Sequence, residues 1–167
     1  MVYLPIRNIY MTLHSIGIIK TPFKELQNMP IQPKGSESTI AKLIINKEYE
    51  EGLKDLDGFS HIYLIYYFHK TTRTELSVIP FMDIENHGVF ATRSPLRPSH
   101  IGMSLTKIIS VTNNIVTVEG IDILDETPLL DIKPYIPQFE QVNDVKTGWM
   151  KKNENEVSLK KSDTRFI

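Results

Sequence analysis

The segment Phe59–Phe68 reads FSHIYLIYYF and is apolar or aromatic at nearly every position. A strand exposed on one face alternates apolar and polar residues, whereas a strand covered on both faces is apolar throughout. The segment therefore predicts a central strand that is buried on two sides. His61, near its start, is predicted to be a hydrogen-bonded structural histidine because apolar residues surround it.

Two β-branched runs lie further along the chain, Lys107–Thr112 and Ile115–Ile123, and only Asn113 and Asn114 separate them. Asparagine tolerates a positive φ, so this pair predicts a tight hairpin. Shorter apolar or alternating runs predict the remaining strands, at Leu13–Ile19, Ser38–Ile45, Val78–Met82, Ile101–Leu105 and Leu129–Tyr135. The chain is therefore expected to be mostly β.

One short helix is predicted after Asn46, which is a good N-cap residue. Acidic residues follow it closely and Gly52 limits the helix to a few turns. Prolines mark long irregular loops, as at Pro22, Pro30 and Pro33. Because closure removes the edges of a sheet, these elements predict a single closed or nearly closed β-barrel with one short helix and long proline-containing loops.

Length and composition limit the functions that the chain can have. Its 167 residues suffice for one domain, expected at residues 13–149 between an N-terminal extension (1–12) and a basic tail (150–167). The absence of cysteine excludes disulfides and thiolate chemistry. The net charge of −1 gives no general attraction to nucleic acid. The chain has no long apolar run and no signal sequence, so a cytoplasmic protein without membrane contact is expected.

Several common reaction motifs are missing from the sequence. It contains neither GxGxxG nor GxxxxGK followed by Ser or Thr, and neither HExxH nor GxSxG. Rossmann or P-loop nucleotide binding and serine-hydrolase chemistry are therefore not expected. The five histidines are dispersed without metal-ligand spacing, and we expect no metal site.

Polar side chains concentrate in Gly88–Leu105, which reads GVFATRSPLRPSHIGMSL. Arg93 and Arg97 lie on a turn-rich segment that Pro95 and Pro98 stiffen, because proline fixes φ and favours an extended residue before it. Fixed cations beside hydroxyls predict an anion site; the alternative is a surface loop whose arginines are merely solvated. If strand ends converge, four loops would supply partners for a zwitterionic ligand, at residues 32–34, 69–70, 93–100 and 125–128.

Several strings of residues resemble, in order and spacing, one family of tRNA-modifying enzymes. They are IGII and TPF within 16–23, GFSH at 58–61, FH at 68–69, GVFATRSPLRP at 88–98, IGMSL at 101–105 and TPLLDIKPY at 127–135. Over Leu13–Trp149 the chain resembles the TsaA-like, or TrmO-like, tRNA N6-adenosine methyltransferases. The resemblance implies a β-barrel methyltransferase that uses S-adenosyl-L-methionine, forms a homodimer, and methylates N6-threonylcarbamoyladenosine beside the tRNA anticodon.

The family motifs, carried over position by position, imply the residues that bind the cofactor. The implied contacts are Gln32, Pro33, Lys34, His69, Lys70, Arg93, Leu105, Asp125, Glu126, Thr127 and Pro128. Arg93 suits the methionine carboxylate of the cofactor, because a guanidinium can bind a carboxylate through two hydrogen bonds. Two positions depart from the family pattern, which commonly has asparagine at Ser99 and glycine at Glu126.

The residue that takes the proton from the acceptor nitrogen is left open by the sequence. A carboxylate or an imidazole is suited to this role, and four candidates are available, Asp125, Glu126, Asp131 and His69. For Asp131 the structural alternative is an ion pair with Lys133.

Contacts to the phosphates of the tRNA anticodon loop are expected from Arg97, His100 and Lys107. Phe23 or Tyr135 would stack on an unpaired base, unless it packs in the core instead. Two other functions stay open for the chain as a whole. One is a non-catalytic regulatory module that binds S-adenosyl-L-methionine or RNA, and the other is methylation of a different substrate.

Overall fold

The computed structural model describes residues 12–27, 29, 38–152 and 162. The described residues form eight strands: β1 (Gly17–Lys20), β2 (Ile40–Ile45), β3 (His61–Tyr67), β4 (Ser77–Val78), β5 (His87–Gly88), β6 (Ile101–Thr112), β7 (Ile115–Glu119) and β8 (Thr127–Pro134). One α-helix of four residues, α1 (Pro137–Glu140), follows the last strand. Short 3₁₀ helices lie at Lys47–Leu53, Leu56–Gly58, Val89–Ala91 and Gly148–Lys152.

Six strands close into an antiparallel barrel in the order β1-β2-β7-β6-β3-β8. The predicted mostly-β barrel is confirmed, and so is the hairpin between β6 and β7, where Thr112 pairs with Ile115. Asn113 in that turn has a φ of 52°, which asparagine tolerates better than most residues. The predicted strands Ile101–Leu105 and Lys107–Thr112 form one continuous strand of twelve residues.

Strand β3 differs from its prediction in how it is buried. Its even-numbered side chains, Ile62, Leu64 and Tyr66, are buried in the barrel, and the odd-numbered ones are half-buried on the outside. The prediction of a strand buried on both faces is wrong, because apolar side chains on the outer face are covered only in part. His61 lies on this outer face and is hydrogen-bonded, with Nδ1 2.9 Å from Ser60 Oγ.

The predicted short helix also differs in kind. Residues Lys47–Leu53 form a 3₁₀ helix, and Asn46 does not cap it with its side chain. The side-chain amide of Asn46 instead donates to the carbonyl of Ser15 at 3.3 Å, so it ties this turn to the segment before β1. No helix within the described ranges is long and apolar enough to cross a lipid bilayer.

The barrel interior is aliphatic on most strands and polar on one. Ile19, Leu43, Leu64, Val116 and Leu129 are among the fully buried residues of the core. Strand β6 instead turns three small residues inward, Gly102, Ser104 and Thr106. A small inward face leaves room for a larger side chain opposite, and Tyr66 on β3 occupies it beside its strand partner Gly102.

A small hairpin outside the barrel supports the loop that follows it. Strands β4 and β5 pair with each other, and Val78, Val89 and Leu96 form a separate buried cluster. The backbone N–H of Glu75 donates to the carbonyl of Leu96 at 2.9 Å, which holds the 92–100 loop to the strand before it. The 92–100 loop, which carries Arg93 and Arg97, is therefore anchored by the apolar packing of Leu96 and by β6, which follows it.

Candidate active site

A cleft of about 1050 Å³ opens on the side of the barrel where β3 ends and β6 begins. Its walls come from residues within 65–71, from 80–82, from the loop and strand within 90–103, and from 122–124 and Thr127, with Trp149 and Met150 beside them. Such a volume is at the upper end of the range for small-molecule sites. Three of the four loops expected to converge contribute lining residues, and residues 32–34 lie outside the described part of the chain.

Arg97 stabilises the conformation of the 92–100 loop. Its Nη2 donates to the carbonyls of Thr92 at 2.6 Å and Val89 at 3.5 Å, and its Nε donates to the carbonyl of Ser94 at 3.0 Å. One planar group thus donates to three carbonyls of the loop, and the carbonyl of Val89 also accepts from the backbone N–H of Thr92 at 3.1 Å and from its hydroxyl at 2.9 Å. Arg97 lines the cleft, but most of its donors face its own loop.

Arg93 lies on the same loop and is arranged differently. Its side chain is exposed and lines the cleft. Across the described residues, no hydrogen bond or ion pair engages its guanidinium. An arginine that faces a cavity without a protein partner is suited to a carboxylate or a phosphate, because its donors fit two oxygens at once.

His69 follows β3 and faces the cleft beside Lys70. Its Nδ1 lies 3.3 Å from Oγ1 of Thr127, whose hydroxyl donates to the carbonyl of Leu124 at 2.7 Å. Because the one hydroxyl proton is used on Leu124, Nδ1 carries the imidazole proton and Nε2 is left as an acceptor. Burial and the charge of Lys70 lower the pKa of His69, which favours the neutral ring.

Among the described residues, Asp122 is the carboxylate that faces the cleft, and the sequence reasoning missed it. Ser104 Oγ donates to Asp122 Oδ1 at 2.7 Å, and the hydroxyl of Tyr66 is 3.1 Å from Ser104 Oγ. Burial raises the pKa of Asp122 to about 6, against the opposing effects of the Ser104 hydrogen bond and the charge of Arg93. Burial also raises the pKa of Tyr66, and the nearby Asp122 adds to that. The signal that could have found Asp122 is an acid between two isoleucines in an apolar run.

The three carboxylates favoured by the sequence point elsewhere, and none of them lines the cleft. Asp125 Oδ1 accepts the backbone N–H of Thr21 at 2.8 Å and Oδ2 pairs with Lys24. Burial would raise the pKa of Asp125, but these partners outweigh it and the pKa is lowered. Asp125 therefore stabilises the loop before β8. Because its pKa is lowered, it is also a weak base.

Glu126 and Asp131 each form an ion pair with a lysine on the surface. Glu126 pairs with Lys20 and has a φ of 63°, which a glycine would adopt more easily. Asp131 pairs with Lys133, with 2.8 Å between Oδ2 and Nζ, so the structural alternative for this residue is present. Both side chains are exposed to water.

The other predicted site residues are divided between the cleft and the rest of the surface. Lys70 and Thr127 line the cleft, whereas Leu105 and Pro128 lie on the outer face of the barrel away from it. Two of the expected RNA contacts also lie outside the lining. Lys107 pairs with Glu119 at 3.2 Å, and His100 Nδ1 lies 3.0 Å from the carbonyl of Pro95. Gln32, Pro33 and Lys34 lie outside the described residues.

The cleft fits the chemical groups of S-adenosyl-L-methionine. Apolar side chains such as Phe68, Phe81 and Leu124 suit an adenosyl ring, and Arg93 suits the carboxylate. Within the described ranges, no three His, Asp or Glu side chains are grouped so as to hold a metal ion. The fold and the cleft define a β-barrel protein with a site for a nucleotide-sized, charged ligand.

A family model described as the tRNA-methyltransferase O N-terminal domain matches residues 18–141. The match covers most of the chain, which therefore belongs to this family. A crystal structure of TrmO from Pseudomonas aeruginosa superposes with a TM-score of 0.71 and 31% sequence identity, covering 84% of this chain and 63% of that one. The strings quoted from the sequence and the barrel thus point to the same family.

Relatives of two kinds are similar to the chain. A probable S-adenosyl-L-methionine-binding protein of Pyrococcus abyssi is 46% identical over 152 residues, which is 91% of this chain and 83% of that protein. The tRNA (adenine(37)-N6)-methyltransferase of Escherichia coli is 33% identical over 144 residues, 80% of this chain and 61% of the enzyme. The chain thus spans about three fifths of that enzyme's length.

Proposed function

We propose that the protein is an S-adenosyl-L-methionine-dependent tRNA methyltransferase that acts on N6 of the adenosine beside the anticodon. The proposal names N6-threonylcarbamoyladenosine as the acceptor nucleoside. The observation that carries it is the unengaged guanidinium of Arg93, which faces a large, partly apolar cleft in a barrel of this family. The names of the relatives in Pyrococcus abyssi and Escherichia coli support the cofactor and the reaction.

The residues of the cleft suit a reaction that depends on alignment. When bound, S-adenosyl-L-methionine supplies a methyl group on a positively charged sulfur. Arg93 holds the carboxylate end of the cofactor, because a guanidinium beside the sulfonium would be repelled. Positioning of donor and acceptor accounts for much of the rate enhancement in transfers of this kind.

The proposal extends to where the protein acts and in what form. A tRNA substrate places it in the cytoplasm, and Arg97, His100 and Lys107 stay the predicted contacts to the RNA. A homodimer is proposed as well. Ile84 and Phe90 are 90% and 78% exposed, and apolar side chains so open to water are suited to cover by a second copy.

Calorimetry with S-adenosyl-L-methionine tests the role of Arg93. We expect Arg93→Ala to weaken binding by roughly tenfold or more, as loss of a charged hydrogen-bond pair does. Arg73→Ala is the control, since Arg73 is a half-exposed arginine that pairs with Glu75 and does not line the cleft. Equal affinity in wild type and Arg93→Ala would show that the carboxylate lies elsewhere.

Mass spectrometry of tRNA nucleosides tests the reaction. Cells that lack the gene should lose the N6-methylated form of threonylcarbamoyladenosine and accumulate the unmethylated form. Complementation with the wild-type gene should restore the methylated nucleoside. An unchanged level of the methylated nucleoside would contradict the tRNA reaction.

A second candidate is a protein that binds S-adenosyl-L-methionine without transferring its methyl group. The Pyrococcus abyssi relative carries only a binding function in its name, and it is matched over more of its length than the Escherichia coli enzyme. Incubation with S-adenosyl-L-methionine labelled in the methyl group separates the candidates. Label in tRNA that carries threonylcarbamoyladenosine supports the transferase, and tight binding without transfer supports the second candidate.

A further inference from the structure

We propose that Asp122 accepts the N6 proton of the acceptor adenosine during methyl transfer, with Ser104 and Tyr66 as positioning residues behind it. The inference rests on the proposed function, because it concerns the same cleft and the same reaction. It assigns a catalytic role to a carboxylate outside the four residues that the sequence offered as proton acceptors.

The direction of the hydrogen bonds leaves one oxygen of Asp122 available. Ser104 donates its single hydroxyl proton to Asp122 Oδ1 at 2.7 Å, so the Tyr66 hydroxyl, 3.1 Å away, donates to Ser104 Oγ. Both hydroxyls therefore point toward the carboxylate and stabilise its charged form. In the described part of the chain, no side chain donates to Oδ2, which can serve the ligand that occupies the cleft.

The charges around the cleft also single out Asp122. Lys70, Arg93 and Arg97 line it as fixed cations, and Asp122 is the carboxylate among its described lining residues. The bound sulfonium and Arg93 are both cationic. They would disfavour the positive charge that an acceptor nitrogen carries if it keeps its proton during methyl transfer. A carboxylate in this place takes up that proton and lowers the positive charge of the cleft.

The surroundings of Asp122 suit it to act as a base near neutral pH. Burial raises its pKa to about 6, so it is mostly ionised at pH 7 and is still a stronger base than an ordinary aspartate. The charged and titratable groups that face it are Tyr66 from β3 and Arg93 from the 92–100 loop. His69, Lys70 and Arg97 line the same cleft and contribute to its potential.

The proposed step conserves atoms and electrons. The lone pair on N6 forms the bond to the methyl carbon, and the electron pair of the broken carbon–sulfur bond stays on sulfur. The N6 proton passes to Oδ2 of Asp122, which becomes a neutral carboxylic acid. Solvent then removes that proton after the products leave, and the carboxylate is restored.

The substitution Asp122→Asn keeps the size of the side chain and the acceptor for Ser104, and removes the base. We expect single-turnover methyl transfer to fall by about 100-fold or more, as loss of a general base does. Affinity for S-adenosyl-L-methionine, measured by calorimetry, should stay unchanged. A large loss of affinity with a normal rate at saturating cofactor would overturn the proposal and assign Asp122 to the cofactor's ammonium group.

Ser104→Ala and Tyr66→Phe test the positioning role through the pH dependence of the rate. The Ser104 hydrogen bond lowers the pKa of Asp122, so its loss should move the acidic limb of the pH–rate profile to higher pH. Asp122→Asn should lack that limb. His69 is the competing base: a limb that stays in Asp122→Asn, disappears in His69→Gln and does not move in Ser104→Ala would overturn the proposal.

A carboxyl NMR titration of the protein without cofactor gives a readout that does not depend on turnover. A resonance that titrates near pH 6, is absent from Asp122→Asn and moves to higher pH in Ser104→Ala supports the inference. Wild-type protein that shows this titration and binds cofactor, yet labels no tRNA, would contradict the proposed function. An active wild type whose rate is unchanged in Asp122→Asn would instead overturn the role of Asp122.

Discussion

Trp149 lies flat against His87, with ring centroids 4.7 Å apart and planes 20° from parallel. The indole N–H donates to the carbonyl of Ala91 at 2.8 Å, and His87 Nε2 is 2.9 Å from Asp83 Oδ2. The 3₁₀ helix Gly148–Lys152 is thereby fixed beside the cleft by one stacking contact and one hydrogen bond. Trp149 is the single tryptophan of the chain, so all tryptophan fluorescence comes from this position.

Acid should release this contact through Asp83. The hydrogen bond from His87, followed by the backbone N–H of Ile84, holds the pKa of Asp83 below its ordinary value of 3.8. Because this pKa is lower in the folded state, the contribution of Asp83 is complete above about pH 3.8 and lost as pH falls below it. We expect a change in Trp149 emission in that range. Asp83→Asn is the control, and an identical acid transition in that variant would contradict the role of Asp83.

Gly102→Ala should destabilise the barrel. A Cβ at this position would meet Cε2 and Cζ of Tyr66 and lie 2.8 Å from Cζ of Phe68, and the Tyr66 ring is buried and has little room to move. Overpacking of this kind costs about 1 to 3 kcal/mol. Urea denaturation measures it, with Gly88→Ala as the control because nothing lies within 4 Å of a Cβ there. Equal losses in the two variants would show that the Tyr66 contact is not the cause.

Glu126→Gly should be more stable than Glu126→Ala. Both variants lose the exposed ion pair with Lys20, so its small contribution cancels in the comparison. Only glycine relieves the left-handed backbone, where φ is 63° and a side chain costs roughly 1 kcal/mol or more. Thermal unfolding should therefore separate the variants by about 2 to 4 °C. If alanine were as stable as glycine, the backbone strain at this turn would be negligible.

Arg97→Lys should weaken the 92–100 loop although the charge is kept. A lysine ammonium cannot reach the three carbonyls, of Val89, Thr92 and Ser94, that the planar guanidinium joins. The carbonyls of Thr92 and Ser94 would lose their donor, which should lower the free energy of unfolding by about 1 to 3 kcal/mol. Arg93→Lys, an exposed change on the same loop, should stay within about 0.5 kcal/mol of wild type. A stable Arg97→Lys would assign the loop's shape to its prolines instead.

Local patterns in the sequence predicted the kind of fold well. The hairpin at Asn113 needs only a residue that accepts a positive φ between two β-branched runs, so it is decided locally. The burial of β3 was predicted wrongly, because Tyr63 and Tyr67 are apolar enough for a core and yet lie on an outer face that is partly covered. How much of an outer face is covered depends on elements far away in the sequence.

The cleft was harder to predict, because the direction in which each carboxylate points depends on the turn before β8. Asp122 and Asp125 are three residues apart, and the left-handed residue Glu126 lies between Asp125 and the start of β8. Asp125 turns toward Thr21 and Lys24, while Asp122 turns toward Ser104. No sequence pattern tells which of the two acids points into the cleft. A motif can therefore identify the segment without predicting the orientation of Asp122 or Asp125.

Tyr66 belongs at once to the hydrophobic core and to the hydrogen-bond chain that ends at Asp122. Selection for heat resistance and selection for turnover therefore act on the same ring. Laboratory evolution toward either property should find few acceptable changes at Tyr66 or at Gly102, which makes room for it, and many on the outward face of the same strands. Substitutions on the outer face of the barrel should therefore be tolerated widely, whereas Tyr66 and Gly102 limit how far its core can be redesigned.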